Sequence, residues 1–241
     1  MSAFAAFGRN DLRNVRRDSI LVTVVLGPFA YAAAVWLVPA LSEHVATVYG
    51  FDLAPFYPAI TSAFQVLGPL MLLGAMCGLL LLEDKDQHTL AALRVTPVPI
   101  HVYALYRAAV TVALTTTSVI ATLALSPIFP AALLVTAVPI GVLAGLNAVL
   151  VGLLMAAAAN NKVEGLAIIR AIGVLVLLIP HIPFFADFDL STELLFGIVP
   201  SYWPAKALWQ LMHGGPMWPY LLAGAVYTLA LAVPLLRRLA R

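Results

Sequence analysis

The chain has 241 residues, 63% of them hydrophobic and only 10% charged, with a formal net charge of +2 and a mean hydropathy of +1.00. Soluble domains carry about a quarter charged residues, so a soluble enzyme, a disordered chain and a nucleic-acid binder are excluded as the main reading. The single cysteine, Cys77, lies in an apolar run, which leaves no intrachain disulfide and no cysteine metal cluster.

Six nearly charge-free stretches lie at about 19–41, 59–82, 102–126, 131–159, 164–184 and 217–236. Each is long enough to cross a hydrocarbon core of ~30 Å. In lipid the backbone must satisfy its own hydrogen bonds, and continuous apolar runs do that as helices. The alternating ten-residue segments of a barrel are absent. The expected fold is an all-α integral membrane protein, one transmembrane domain over residues 1–241.

Lysine and arginine orient the spans. One set of flanks holds Arg9, Arg13, Arg16, Arg17, Lys85, Arg94, Arg107, Lys162, Arg170, Arg237, Arg238 and Arg241. The other holds only Lys206, beside Glu43, Asp52, Asp187, Asp189 and Glu193. This asymmetry predicts both termini in the cytoplasm. The first span is too long for a signal-peptide core and is expected to be retained.

In residues 3–18, Leu12 and Val15 group on a helical wheel with Phe4 and Gly8, and Arg9, Arg13, Arg16 and Arg17 fall alongside. That pattern predicts a short interfacial helix; arginines that only set topology are the plainer alternative. Residues 42–58 read as an outer loop, whose Phe51, Phe56 and Tyr57 suit a headgroup belt more simply than a substrate entrance. In the longest polar loop, 83–101, Asp86 suits the N-cap of a helix, Leu90 and Leu93 share a face, and Pro97 and Pro99 stop it.

The fourth span contains Pro139, and Gly141 and Gly145 permit close helix contact; Asn147, a turn further on, is expected to face another helix. Between the fifth and sixth spans, Leu194–Val199 is an apolar run too short to cross, Pro200 breaks it, and Ala205, Leu208, Trp209 and Met212 make a helical stripe. A pair of short helices folded back into the outer leaflet is the expectation.

Chemistry-bearing motifs are mostly absent. No lysine follows a glycine, so no Walker A cradle exists, and neither a G-x-S-x-G nor an H-E-x-x-H motif is present. No catalytic residue and no metal site are assigned. His44, His88, His101, His181 and His213 lack metal-ligand spacing. Glu83, Asp84 and Asp86 supply hard oxygen ligands suited to Mg²⁺, but no second acidic cluster completes a site, so a solvated or partner-facing cap is the simpler reading. Gln65, Thr115, Asn147 and His181 are candidates for a translocation path; threonines such as Thr115, Thr116 and Thr117 commonly bond back to their own helix, and His181 between Pro180 and Pro183 is also satisfied by an interfacial turn.

The loop after the second span carries Glu83, Thr89, Leu93, Thr96-Pro97 and Tyr103, and the tract Pro200-Ser201-Tyr202-Trp203-Pro204 with Ala207 precedes the last span. In these motifs, span count and loop placement the chain resembles the permease subunits of type-2 ATP-binding-cassette transporters, with His88 where the pattern has glycine. In size and composition it is most similar to small permeases of mycobacterial fluoroquinolone-type drug exporters. The resemblance implies an elbow helix at 3–18 and a coupling helix at about 84–96 that docks on a separate ATPase through Glu83, Asp86, Thr89, Leu90, Leu93, Arg94, Thr96 and Pro97. It further implies re-entrant helices at about 190–212 bearing Pro200, Tyr202, Trp203 and Trp209. A second permease, identical or paralogous, would complete a twelve-span dimer in a bacterial plasma membrane. This chain would hold no cofactor; ATP and Mg²⁺ would sit on the ATPase.

The function so implied is outward movement of hydrophobic or amphipathic molecules, drug or lipid, by alternating access. The competing readings are a metal-dependent intramembrane transferase using Glu83, Asp84 and Asp86, and a haem or lipid exporter of the same superfamily.

Overall fold

The computed structural model describes residues 8, 19–86, 100–186 and 188–239. The helices described in full are α1 (Ser19–Val35), α2 (Val38–Tyr49), α3 (Tyr57–Thr61), α4 (Gly68–Asp86), α5 (Ile100–Ala124), α6 (Val138–Ala158), α7 (Lys162–Leu177), α8 (Leu190–Leu195), α9 (Tyr202–Met212) and α10 (Trp218–Leu239). No strand occurs among the described residues. Among the described residues, six helical rods are long and apolar enough to cross a membrane: Leu21–Tyr49, Ala54–Asp86, Val102–Ala124, Val138–Ala158, Lys162–Phe184 and Trp218–Arg237.

The second and fourth rods form the centre and are mostly buried, whereas the other four bury only a third or less of their apolar windows. The α4–α6 contact is the most extensive in the bundle. It forms because small residues let the backbones meet: a Cβ placed on Gly74 would lie 2.9 Å from the Ala148 carbonyl oxygen. Gly145 does the same for α5, where a Cβ would lie 2.8 Å from Val112 Cα, so the expected close approach at Gly141 and Gly145 is present. On the rim, Leu26, Phe29, Trp36, Leu175, Leu222 and Val226 are exposed, as apolar groups facing lipid are.

Several boundaries differ from expectation. The first rod does not end near residue 41. A turn at Trp36–Leu37 is followed by α2, which takes Pro39 in its first turn, where a missing N–H costs nothing. Gly50, at φ 66°, ends α2 and donates its N–H to Ala46 O, so half of the expected loop 42–58 is helix. The second rod begins at Ala54 and passes through a π-helical turn, Ser62–Leu67, before α4. It continues through Leu82 to Asp86, so residues 83–86 are part of α4.

The fourth span starts at Val138, not at 131. Its expected first turns are a 3₁₀ turn, Ala131–Leu133, and Pro139 lies in the first turn of α6 rather than in its interior. The helix of the fifth span, α7, ends at Leu177, and a 3₁₀ stretch, Ile179–Phe184, follows; Pro180 and Pro183 lack the N–H groups that an α-helix needs. The short pair before the last span is present as α8 and α9, separated by a 3₁₀ turn, Phe196–Ile198. The elbow helix expected at 3–18 and the part of the coupling helix beyond Asp86 lie outside the described residues, apart from Gly8. Gly8 is helical, and a Cβ there would be 3.6 Å from the Tyr106 hydroxyl of α5.

Candidate functional site

Two polar assemblies occupy opposite ends of the bundle. The first lies where α4 ends and α5 begins. Asp84 and Arg107 are brought together because α4 extends past the apolar run and α5 starts just upstream of it. Arg107 Nη2 donates to Asp84 Oδ2 at 2.7 Å, with both side chains largely buried. The Tyr103 hydroxyl donates to the same carboxylate oxygen and accepts from Arg107 Nη2 at 2.9 Å. The guanidinium also lies 5.3 Å from the Tyr103 ring centre.

Beside this cluster, Lys162 Nζ lies 3.3 Å from Glu83 Oε2 and Lys85 Nζ donates to Ala159 O at 3.3 Å. The start of α7 is fixed in turn, since Asn161 Oδ1 accepts the Glu164 N–H at 2.9 Å and Glu164 Oε2 accepts the Asn160 N–H at 2.9 Å, a reciprocal cap. The end of α4, the start of α5, the end of α6 and the start of α7 are thus fastened to one another. Glu83 and Asp84 face Lys162 and Arg107, and no group of three metal-ligating side chains occurs among the described residues.

The second assembly lies at the far end, between α7 and α10. A cavity of ≈ 390 Å³ is lined by Phe56, Phe184, Phe185, Phe188 and Trp209, with Glu193 and Lys206. Phe184 stacks on Trp209 at 4.4 Å and 14°, and Trp209 on His213 at 4.7 Å. Lys206 pairs with Glu193, the side chains only 11% and 14% exposed. The Tyr202 hydroxyl donates to Glu193 Oε1 at 2.9 Å. Burial first, then the neighbouring Glu193, pushes this phenol well above its ordinary value, so it stays a donor.

The Pro200–Pro204 tract positions this end. Ser201 Oγ donates to Val176 O at 2.8 Å, and Trp203 Nε1 to Gly197 O at 3.0 Å. Asp189 caps α8 by accepting the Thr192 N–H. The hydroxyls of Ser191 and Thr192 hold its carboxylate down at about 2.

The remaining predicted residues are distributed as follows. Gln65 is fully buried and ties the second rod to α5: its Nε2 donates to Thr122 O at 3.1 Å, while Thr122 Oγ1 lies 3.1 Å from Gln65 O, a carbonyl that sits in the π-helical turn. Thr115 is buried in α5, and Thr116 and Thr117 bond back to Val112 O and Ala113 O. Asn147 is buried but donates to Leu143 O of its own helix at 2.9 Å, not across to another. His181 is buried within the 3₁₀ stretch Ile179–Phe184. Its Nδ1 lies 2.7 Å from Leu177 O, so Nδ1 is the protonated nitrogen, and its ring meets Phe184 edge-on at 5.6 Å. Thr89, Leu90, Leu93, Arg94, Thr96 and Pro97 lie outside the described residues; Asp86 is exposed at the end of α4. Of the predicted residues, the far-end cavity unites Trp209 with Tyr202 through Glu193, and with His181 through Phe184. Glu193, Lys206 and Phe184 as site residues were missed. The one signal available was a lone lysine on an otherwise cation-poor side.

Among the described residues, six membrane-length helices with an apolar rim, a polar cluster at one end and an aromatic cavity at the other fit a multi-pass membrane protein. A family model, Fluoroquinolones export permease protein Rv2686c-like, matches residues 11–236. Two Mycobacterium tuberculosis proteins, Fluoroquinolones export permease protein MT2760 of strain CDC 1551 / Oshkosh and Fluoroquinolones export permease protein Rv2686c of strain ATCC 25618 / H37Rv, are each 46% identical over 237 residues. These cover 98% of this chain and 93% of theirs. The chain belongs to the Rv2686c-like fluoroquinolones export permease family, and the resemblance to mycobacterial drug export permeases is borne out. No solved structure matches.

Proposed function

We propose that this chain is the membrane-spanning subunit of an ATP-driven exporter, embedded in a bacterial plasma membrane with both termini in the cytoplasm. A separate ATPase, carrying ATP and Mg²⁺, grips the segment from Glu83 to Pro97, and a second permease completes a twelve-span channel. The cargo is a hydrophobic or amphipathic small molecule, and the relatives' names make fluoroquinolones the first to test. In this reading residues 3–18 form an elbow helix, α8 and α9 re-enter the outer leaflet, and residues 1–241 act as one transmembrane domain that holds no cofactor.

The observation that carries this reading is the Asp84–Tyr103–Arg107 cluster. It binds the end of α4 to the start of α5 on either side of residues 87–99. A push on that segment is then delivered to two spans together, and one of them, α4, lies at the centre of the bundle. Rigid-body motion of packed helices follows from such a linkage. Gly8 beside Tyr106 supports the elbow placement at this same end.

The test is co-purification of a Walker A ATPase with the tagged chain. Leu93→Asp should release the ATPase while leaving the permease monodisperse; retained assembly with undiminished ATP-dependent transport would overturn the reading.

A further inference from the structure

The far-end cavity contains a pair of opposite charges inside aromatic walls, which is an unusual lining for a space of ≈ 390 Å³. That volume lies within the range of about 300–1,000 Å³ typical of small-molecule sites. The walls are flat, since Phe184 and Trp209 are nearly parallel, and a planar ring system can extend such a stack. The charges are placed to be exchanged. An ammonium has three donors, and Lys206 directs one to Glu193, while the rings of Phe184 and Tyr220 stand 5.7 and 5.9 Å from its nitrogen. Glu193 Oε1 accepts from both Lys206 and Tyr202.

We propose that this cavity binds planar aromatic zwitterions, with a ligand carboxylate taken by Lys206 and a ligand ammonium taken by Glu193. The reasoning is charge balance at an ion pair whose two side chains are largely buried. The Lys206–Glu193 pair sums to zero. A ligand with one charge of each sign replaces one internal pair by two pairs and leaves no charge alone. A ligand with only a carboxylate satisfies Lys206 and strands Glu193; a ligand with only an ammonium does the reverse. An unpartnered charge in a largely buried site is costly, so the cavity selects by rejecting single charges as much as by attracting pairs.

This inference rests on the export reading for its biological sense, but its test needs neither ATP nor transport, so the two fail separately. The full chain, purified in detergent without any ATPase, is titrated by equilibrium dialysis with three probes. Norfloxacin carries a carboxylate and a piperazine ammonium, its ethyl ester keeps only the ammonium, and N-acetylnorfloxacin keeps only the carboxylate. Norfloxacin should bind at least about tenfold more tightly than either derivative, the effect of one unpaired charge. Lys206→Met should invert the order in favour of the ester, Glu193→Gln in favour of the N-acetyl compound, and Trp209→Ala should weaken all three alike. The comparison on the unaltered protein needs no variant to fold. Affinities within about twofold for the three probes, an unchanged order in both charge variants, or full binding to Trp209→Ala would each overturn the proposal.

Discussion

Replacing Arg107 with methionine tests the cluster at the α4–α5 junction. The guanidinium is 2.7 Å from Asp84 and both side chains are largely buried, so the substitution removes a cation that pairs with a buried carboxylate, which keeps the Tyr103 hydroxyl. Breaking a buried pair by removing one partner costs about 3–5 kcal/mol. At about 2–4 °C per kcal/mol for a chain of this length, the melting temperature should fall by roughly 6–20 °C. The protein carries its own reporter: its one cysteine, Cys77, is buried and becomes reactive to a thiol-sensitive dye when the bundle opens. The double variant Arg107→Met with Asp84→Leu should regain most of the loss, because an apolar pair of similar volume replaces a buried ion pair at little or no cost. A single variant that melts within about 2 °C of the parent, or a double variant less stable than the single, would refute the reasoning.

Gly145→Val should destabilise the bundle by at least about 1–3 kcal/mol, since the first added carbon meets Val112 Cα at 2.8 Å and a backbone atom cannot rotate away; the same dye assay reads it, and an unchanged melting curve would contradict the packing. Gly214 has φ 71°, so Gly214→Ala should cost about 1–2 kcal/mol in that assay, and an unchanged melting curve would contradict the strain. Asp189 has its folded value, about 2, below the ordinary 3.8; its contribution to α8 is therefore complete above about pH 4 and is lost as pH falls through about 2. Pepsin cleavage near Leu194 and Leu195 should rise in the parent between pH 4 and 2, and should already be high at pH 4 in Asp189→Ala; identical profiles would dismiss the cap.

The spans were legible because membrane length and apolarity are local properties, and the Gly141/Gly145 contact because small residues four apart announce close packing. Boundaries were less legible where proline acts in two ways. Pro39 and Pro139 sit in the first turn of a helix, while Pro180 and Pro183 force a 3₁₀ path, and hydropathy does not distinguish these uses. Acidic residues after Leu82 looked like the end of the span, yet α4 continues because Asp84 is met by Arg107 and Tyr103, partners about twenty residues away. The cavity was hidden for the same reason. Glu193 and Lys206 lie on different short helices, α8 and α9, and Phe56 comes from the second rod, so no periodicity links them. Trp209 was visible only as part of an apolar stripe.

The account depends most on the claim that this permease is moved by another protein. The direct measurement is uptake of a fluorescent fluoroquinolone into inside-out vesicles that contain the chain with, and then without, its ATPase. Accumulation that requires both the ATPase and ATP, and that vanishes with Leu93→Asp, is the predicted result. Equal accumulation by the chain alone, with no nucleotide present, would contradict it.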